Sequence, residues 1–192
     1  MARPAFDAAS YVQFDLQAGA IRSRDDDALV LVPRELLAAL ALGDELSMAA
    51  RSIGEARGKR FAAWAAARTA VEPLALDALA DGVDGALAVL GFGRTEIEIR
   101  GDALLFKVKG AAKGSSAAST AFLGGFLGGY LSALDPEMRF GAVHLGPKAA
   151  GPDDVVFLAG STEVLKRVAR SIAGGVEPYK AVERLHGEGG KA

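Results

Sequence analysis

His144 and His186, together with Ser115, Ser119 and Asp153, are the side chains in this 192-residue chain that come nearest to a catalytic set. A serine activated by a histidine that a carboxylate orients needs a sharp strand-to-helix turn to present the nucleophile. Ser115 and Ser119 stand instead in KGAAKGSSAAS, a glycine-, alanine- and serine-rich run of the kind that connects elements. A zinc site built on either histidine would need carboxylates from elsewhere in the fold, and each reads more simply as a hydrogen-bonded or exposed residue. The chain has no cysteine, which removes disulfides, thiolate ligands and thiol chemistry. GFGRTEIE precedes a strand instead of following one into a helix, and KGAAKGS lacks the P-loop spacing, so neither cradles a phosphate. No catalytic residue, metal site or cofactor is expected, and the chain reads as a non-enzyme.

Binding is the chemistry that remains. Arg57 lies in an apolar helical stripe with Leu46, Ala50, Ile53, Phe61 and Trp64, where a guanidinium can pair with an acidic ligand or stack on an aromatic one. It can equally pack its stem and pair its head with a neighbouring carboxylate. Arg51, Lys59, Arg60 and Arg68 of the same segment read as a solvated face. The second unusual stretch is FLGGFLGGY, Phe122 to Tyr130. On a helical wheel Phe122, Phe126 and Tyr130 share one sector and Leu123, Leu127, Leu131 and Leu134 the next. Gly124, Gly125, Gly128, Gly129 and Ser132 fill the opposite half. Four glycines cost about 4 kcal/mol of helix propensity relative to alanines, so a compensating contact on the bare side is expected. Three partners fit there: a helix approaching across Gly54 and Gly58, a dimer axis, or a ligand.

Composition narrows the setting. The chain carries 24 acidic and 22 basic residues, a net charge of -2, which gives nucleic acid no electrostatic footing. The start MARPAFDAASYVQFD lacks the pattern of a secretory signal, so a cytoplasmic location is expected. Gly114 to Leu134 is uncharged and long enough to span a bilayer, but five glycines and five serines or threonines make it only weakly hydrophobic. A buried helix is expected there and no membrane span.

The elements that must position these residues follow from periodicity. Strands are expected at Tyr11 to Leu16 and Ala28 to Val32, with a helix opened by Pro33 and closed by Gly43. Asp44 caps a long helix to about Arg68, and a further helix stops at Gly91. RTEIEIR and ALLFKVK, joined at Gly101-Asp102, make a hairpin. The glycine helix follows, closed by Asp135-Pro136, then the strands MRFGAVHLG and DVVFLAG. A helix capped by Ser161 and stopped at Gly174 comes next, then a short last helix and a frayed tail. Residues 1–10 read as an N-terminal extension, 11–175 as one domain, and 176–192 as that helix and tail.

Two stretches resemble the 4-vinyl reductase domain, a small-molecule-binding module related to the small core subunits of the TRAPP complex. ALVLVPRELLAAL followed by ARSIGEARGKRFAAW is similar to that family's strand, helix and glycine-spaced helix. GFGRTEIEIRGDALLFKVKG followed by FLGGFLGGYLSAL and a strand pair is similar to its hairpin, glycine helix and C-terminal strands. The resemblance implies an α/β fold of the α+β type, with an antiparallel sheet of about four strands packed against a layer of helices. It also implies a homodimer that encloses a hydrophobic pocket and reports on a hydrophobic or aromatic ligand to a regulatory protein partner. On this sequence the pocket would be lined by Phe61, Trp64, Phe122, Phe126, Tyr130 and Phe140, with Arg57 as polar anchor. Gly54, Gly58, Gly124, Gly125, Gly128 and Gly129 would serve close helix packing or the dimer interface. The family's metal-holding cysteine positions are Pro147 and Val155 here, around Gly151 and followed by Phe157, so the resemblance carries no metal to this chain. The alternative is a TRAPP-like interaction scaffold that holds no ligand.

Overall fold

The computed structural model describes residues 12–15, 17, 20–23, 28–29, 43–68, 76–109, 117–146 and 154–188. The first strands, β1 (Val12–Asp15), β2 (Ala20–Ser23) and β3 (Ala28–Leu29), form a three-stranded antiparallel sheet in that order. The helix expected from Pro33 lies outside the described residues. Helices α1 (Gly43–Arg68) and α2 (Leu76–Val89) follow, then β4 (Arg94–Arg100), β5 (Ala103–Lys109) and α3 (Ala117–Leu134). The chain continues through β6 (Phe140–His144), β7 (Val155–Ser161), α4 (Thr162–Ala173) and α5 (Pro178–Glu188).

The central sheet has four antiparallel strands in the order β4-β5-β7-β6, an α+β fold as the sequence predicts. Its hairpin β4–β5 turns at Gly101, whose φ of 58° lies in the left-handed region open to glycine. Gly91 likewise ends the α2 segment at φ 75°. The inner strands β5 and β7 are nearly continuous apolar runs, which suits strands covered on both faces. Phe106, Val108, Phe157 and Ala159 point to one side and join Val83, Leu87, Phe126 and Leu127 in the larger core. Ala103, Leu105, Val156 and Leu158 point to the other, against Val164 and Val168 of α4 and Ala181, Val182 and Leu185 of α5. The sheet therefore has a helical layer on each face, where the sequence suggested one. The last helix, read from sequence as an appendage beyond residue 175, belongs to that second layer.

Capping fixes the helix ends. Ser161 Oγ accepts from the Val164 N–H at 3.3 Å, and the Gly174 N–H closes α4 on the Arg170 carbonyl at 3.0 Å. Asp84 of α2, buried, accepts from the Thr95 N–H at 2.6 Å and pairs with Arg94 at 2.8 Å, tying α2 to β4.

The inner face of α1 differs from the stripe read in the sequence. Ile53 is 42% exposed, while Ala50, Gly54, Gly58 and Ala65 are buried. The contact face is centred about 70° around the helix from the expected one. Large side chains marked the wrong face because this helix meets its neighbour through small residues.

Candidate functional site

Helix α3 is the hinge of the architecture, and its two halves face different partners. On the aromatic half, Phe92 stacks on Phe122 at 5.1 Å between centroids, and Phe122 on Phe126 at 6.3 Å. Phe126 and Tyr130 follow at 5.9 Å, then Tyr130 and Phe61 of α1 at 5.9 Å. Four of the predicted pocket residues, Phe61, Phe122, Phe126 and Tyr130, are thus brought together as one column, and they fill the interior. Gly82 of α2 lets the column close: a Cβ there would stand 2.6 Å from both the Phe61 ring and the Tyr130 hydroxyl. Phe140 sits apart from the column at the start of β6, half-buried, and Arg57 is half-buried on α1. The side chain of Trp64 lies outside the described residues.

The glycine half is divided in two. A Cβ on Gly125 or Gly129 would fall 2.2 or 2.1 Å from the carbonyl oxygens of Ser47 and Arg51. A Cβ on Gly54 or Gly58 would fall 2.1 or 2.4 Å from those of Phe126 and Tyr130. Helices α1 and α3 run in the same direction with backbones in contact, each supplying two glycines four residues apart. Close packing within the chain is therefore what Gly54, Gly58, Gly125 and Gly129 serve here. Gly124 and Gly128 point elsewhere, to β6, with the Ala142 and Phe140 carbonyls each 3.3 Å from the missing Cβ.

Strand β6 is a sheet edge, and Arg51 with Ser132 covers its first residue. The Leu145 N–H donates to Val156 at 2.9 Å, which sets the ladder so that Phe140, Ala142 and His144 turn their backbone groups away from β7. At Phe140 the N–H donates to Ser132 Oγ at 3.0 Å and the carbonyl accepts from Arg51 Nη1 at 2.9 Å. Arg51 Nη2 also donates to Ser132 Oγ at 2.8 Å, and that hydroxyl donates to the Gly128 carbonyl at 2.8 Å. Glu55 completes the set, 3.3 Å from Arg51 Nε. Arg51, read from sequence as part of a solvated face, instead joins α1, α3 and β6. The signal was available: Ser47, Arg51, Gly54 and Gly58 share one helical face once glycine is taken as the contact residue.

Two clefts open beside this junction. The larger, about 760 Å³, has walls from Ala121, Gly124 and Gly125 of α3 and from Ala142, Val143 and Phe157 of the sheet. Its polar groups are Ser47, Thr120, Arg51 and His144. The smaller, about 630 Å³, lies past Arg51 and includes Phe140, Glu55, Lys59 and Arg139. Phe61, Phe122, Phe126 and Tyr130 line neither. His144 packs its ring on Phe157 at 5.5 Å, and the desolvation lowers its pKa below the ordinary 6.5. The imidazole is accordingly neutral at pH 7.

Other sequence candidates are dispersed. Ser119 is buried in α3, and Ser115, Asp153, Pro147, Gly151 and the side chain of His186 lie outside the described residues. Val155 is buried in β7. Among the described residues no group of three or more His, Asp or Glu side chains is placed to hold a metal ion. Helix α3 is long and apolar enough to cross a membrane, but most of it is buried against α1, β6 and the larger core.

No protein-family model matches the chain, and no curated protein does. A vinyl-4-reductase family protein from Methanocaldococcus jannaschii is similar at 18% identity and TM-score 0.42, over 72% of this chain and 85% of that one. The phenol-responsive sensory domain of the transcription activator PoxR, crystallised with phenol, is similar at 17% identity and TM-score 0.56, over 93% of each chain. In fold, this chain is similar to that sensory domain along nearly its whole length.

Proposed function

We propose that the protein is a small-molecule-binding regulatory domain without catalytic activity of its own, and that its ligand occupies the larger cleft between α3 and β6. The observation that carries the reading is the cleft itself, whose volume of about 760 Å³ falls in the range of small-molecule sites. Its walls are bare backbone, small side chains and one aromatic ring, and its polar groups are few and separate, which suits a flat apolar or aromatic molecule. The fold's likeness to a phenol-responsive sensory domain supports the same reading. On it, the glycines of α3 serve two ends: Gly125 and Gly129 seat α1, and Gly124 closes the floor of the cleft on Ala142 and Phe157. The domain acts as a homodimer in the cytoplasm and passes ligand occupancy to a protein partner.

The test is native mass spectrometry of the purified protein, followed by thermal denaturation with a panel of one- and two-ring aromatics. A saturable rise in Tm is expected, lost in Ala121→Trp, which fills the cleft from a half-buried position in its wall. No co-purifying molecule and no shift with any aromatic would overturn the reading and leave an interaction scaffold, whose interior the aromatic column already fills.

A further inference from the structure

The two clefts meet at Arg51, which lines both, and their charge is one-sided. Among the described residues no acidic side chain lines the larger cleft, and in the smaller Glu55 stands against Lys59, Arg139 and the shared Arg51. Among its described lining residues the groove is thus net basic, while the chain as a whole has a slight acidic excess. A concave surface of one sign raises the local concentration of the opposite ion.

The state of Arg51 sharpens this. Three of its five N–H donors are engaged: one to Phe140, one to Ser132, and Nε beside Glu55. Nη1 and Nη2 each retain a second N–H, and the side chain is 35% exposed. Gly128 makes the position possible, since a Cβ there would stand 3.1 Å from Nη1. The guanidinium is thus fixed by the fold while part of it stays open to solvent. Phe140 O and Ser132 Oγ, 3.3 Å apart, take the paired end of the fork, so each remaining Nη N–H points to its own edge and offers a carboxylate one charge-assisted hydrogen bond. His144 adds a flat wall on Phe157 and no charge at neutral pH.

We infer that the ligand of the larger cleft is an aromatic carboxylate, its ring against the glycine wall of α3 and Phe157 and its carboxylate received by Arg51. The inference rests on the reading of that cleft as the ligand site. Glu55 keeps Nε occupied and an outer Nη N–H is left to the ligand, and the wider basic groove draws the anion in.

Isosteric pairs separate charge from shape: benzoate against benzamide, and 2-naphthoate against 2-naphthamide, each titrated calorimetrically against the full chain. The acid of at least one pair is expected to bind tenfold or more tightly than its amide. Arg51→Gln should abolish that preference and Arg51→Lys should keep part of it. Ala121→Glu, which sets a negative charge in the cleft wall without touching Arg51, should reverse the preference and covers the case in which the Arg51 variants do not fold. Equal binding of acid and amide, both blocked by Ala121→Trp, would overturn the carboxylate assignment and leave the cleft reading intact. Failure of all four compounds and of phenol to bind would overturn both.

Discussion

At the scale of single residues, Ser132 and His144 illustrate how polar groups beside the cleft are held. Ser132 Oγ accepts from the Phe140 N–H and from Arg51 while donating to the Gly128 carbonyl. Ser132→Ala leaves two donors without their acceptor, and we expect a loss of about 1–3 kcal/mol in urea denaturation. His144 sets a pH dependence. Its folded pKa lies below 6.5, so between the two values the unfolded chain binds more protons. Stability from this group is present above pH 6.5 and is lost as pH falls through 6.5 toward the folded pKa. Denaturation of His144→Gln across pH 5–8 should show a shallower decline on the acid side than wild type. Equal slopes would mean that the ring's packing on Phe157 does not desolvate it.

At the scale of elements, the glycines of α1 and α3 divide by what stands opposite them. Gly54→Ala sets a methyl 2.1 Å from the Phe126 carbonyl oxygen, a backbone atom that cannot step aside, and the helices must part. A loss of about 3 kcal/mol is expected, read as a fall in Tm. Gly124→Ala meets the Ala142 carbonyl at 3.3 Å and the Phe157 ring at 3.7 Å, an adjustment of tenths of an ångström. The gain of about 1 kcal/mol in helix propensity offsets it, so stability should stay near wild type. Gly125→Leu collides with the Ser47 backbone and reports on folding, not on dimerisation or ligand uptake. Much at this scale was legible in the sequence. RTEIEIR and ALLFKVK pair in the expected register, and Ser161 and Gly174 bound α4. The contact face of α1 was not legible by hydrophobicity, because glycine contributes no side chain to the pattern while permitting the closest approach.

At the scale of the whole molecule, the second helical layer is the part least expected and most easily tested. Val182 and Leu185 of α5 are buried with Leu105, Val156 and Leu158 beneath the sheet. Leu185→Ala should cost about 2–5 kcal/mol, as core truncations do, and removal of residues 177–192 should expose that face and bind a hydrophobic dye. A truncated chain that melts like the intact one would show that α5 is dispensable. On the function proposed above, the same packing directs where the ligand goes. With an aromatic column filling one side of α3, the room lies on its glycine side, along the edge of β6.

Sequence by itself determined the central-sheet strands, their hairpin, the Ser161 and Gly174 caps and the presence of a helix with one bulky and one bare half, because these depend on local periodicity and backbone preference; α1 begins at Gly43, one residue before the expected cap Asp44. It also identified the aromatic residues that come together, without showing that they pack on one another. Tertiary structure alone decided what the bare half meets. Backbone contact between α1 and α3 and the seat of Arg51, which reaches a residue 89 positions away, arise between segments far apart in the chain, and the turn of Gly124 and Gly128 toward β6 depends on how α3 lies on the sheet. No local pattern encodes a contact whose defining feature is the absence of a side chain.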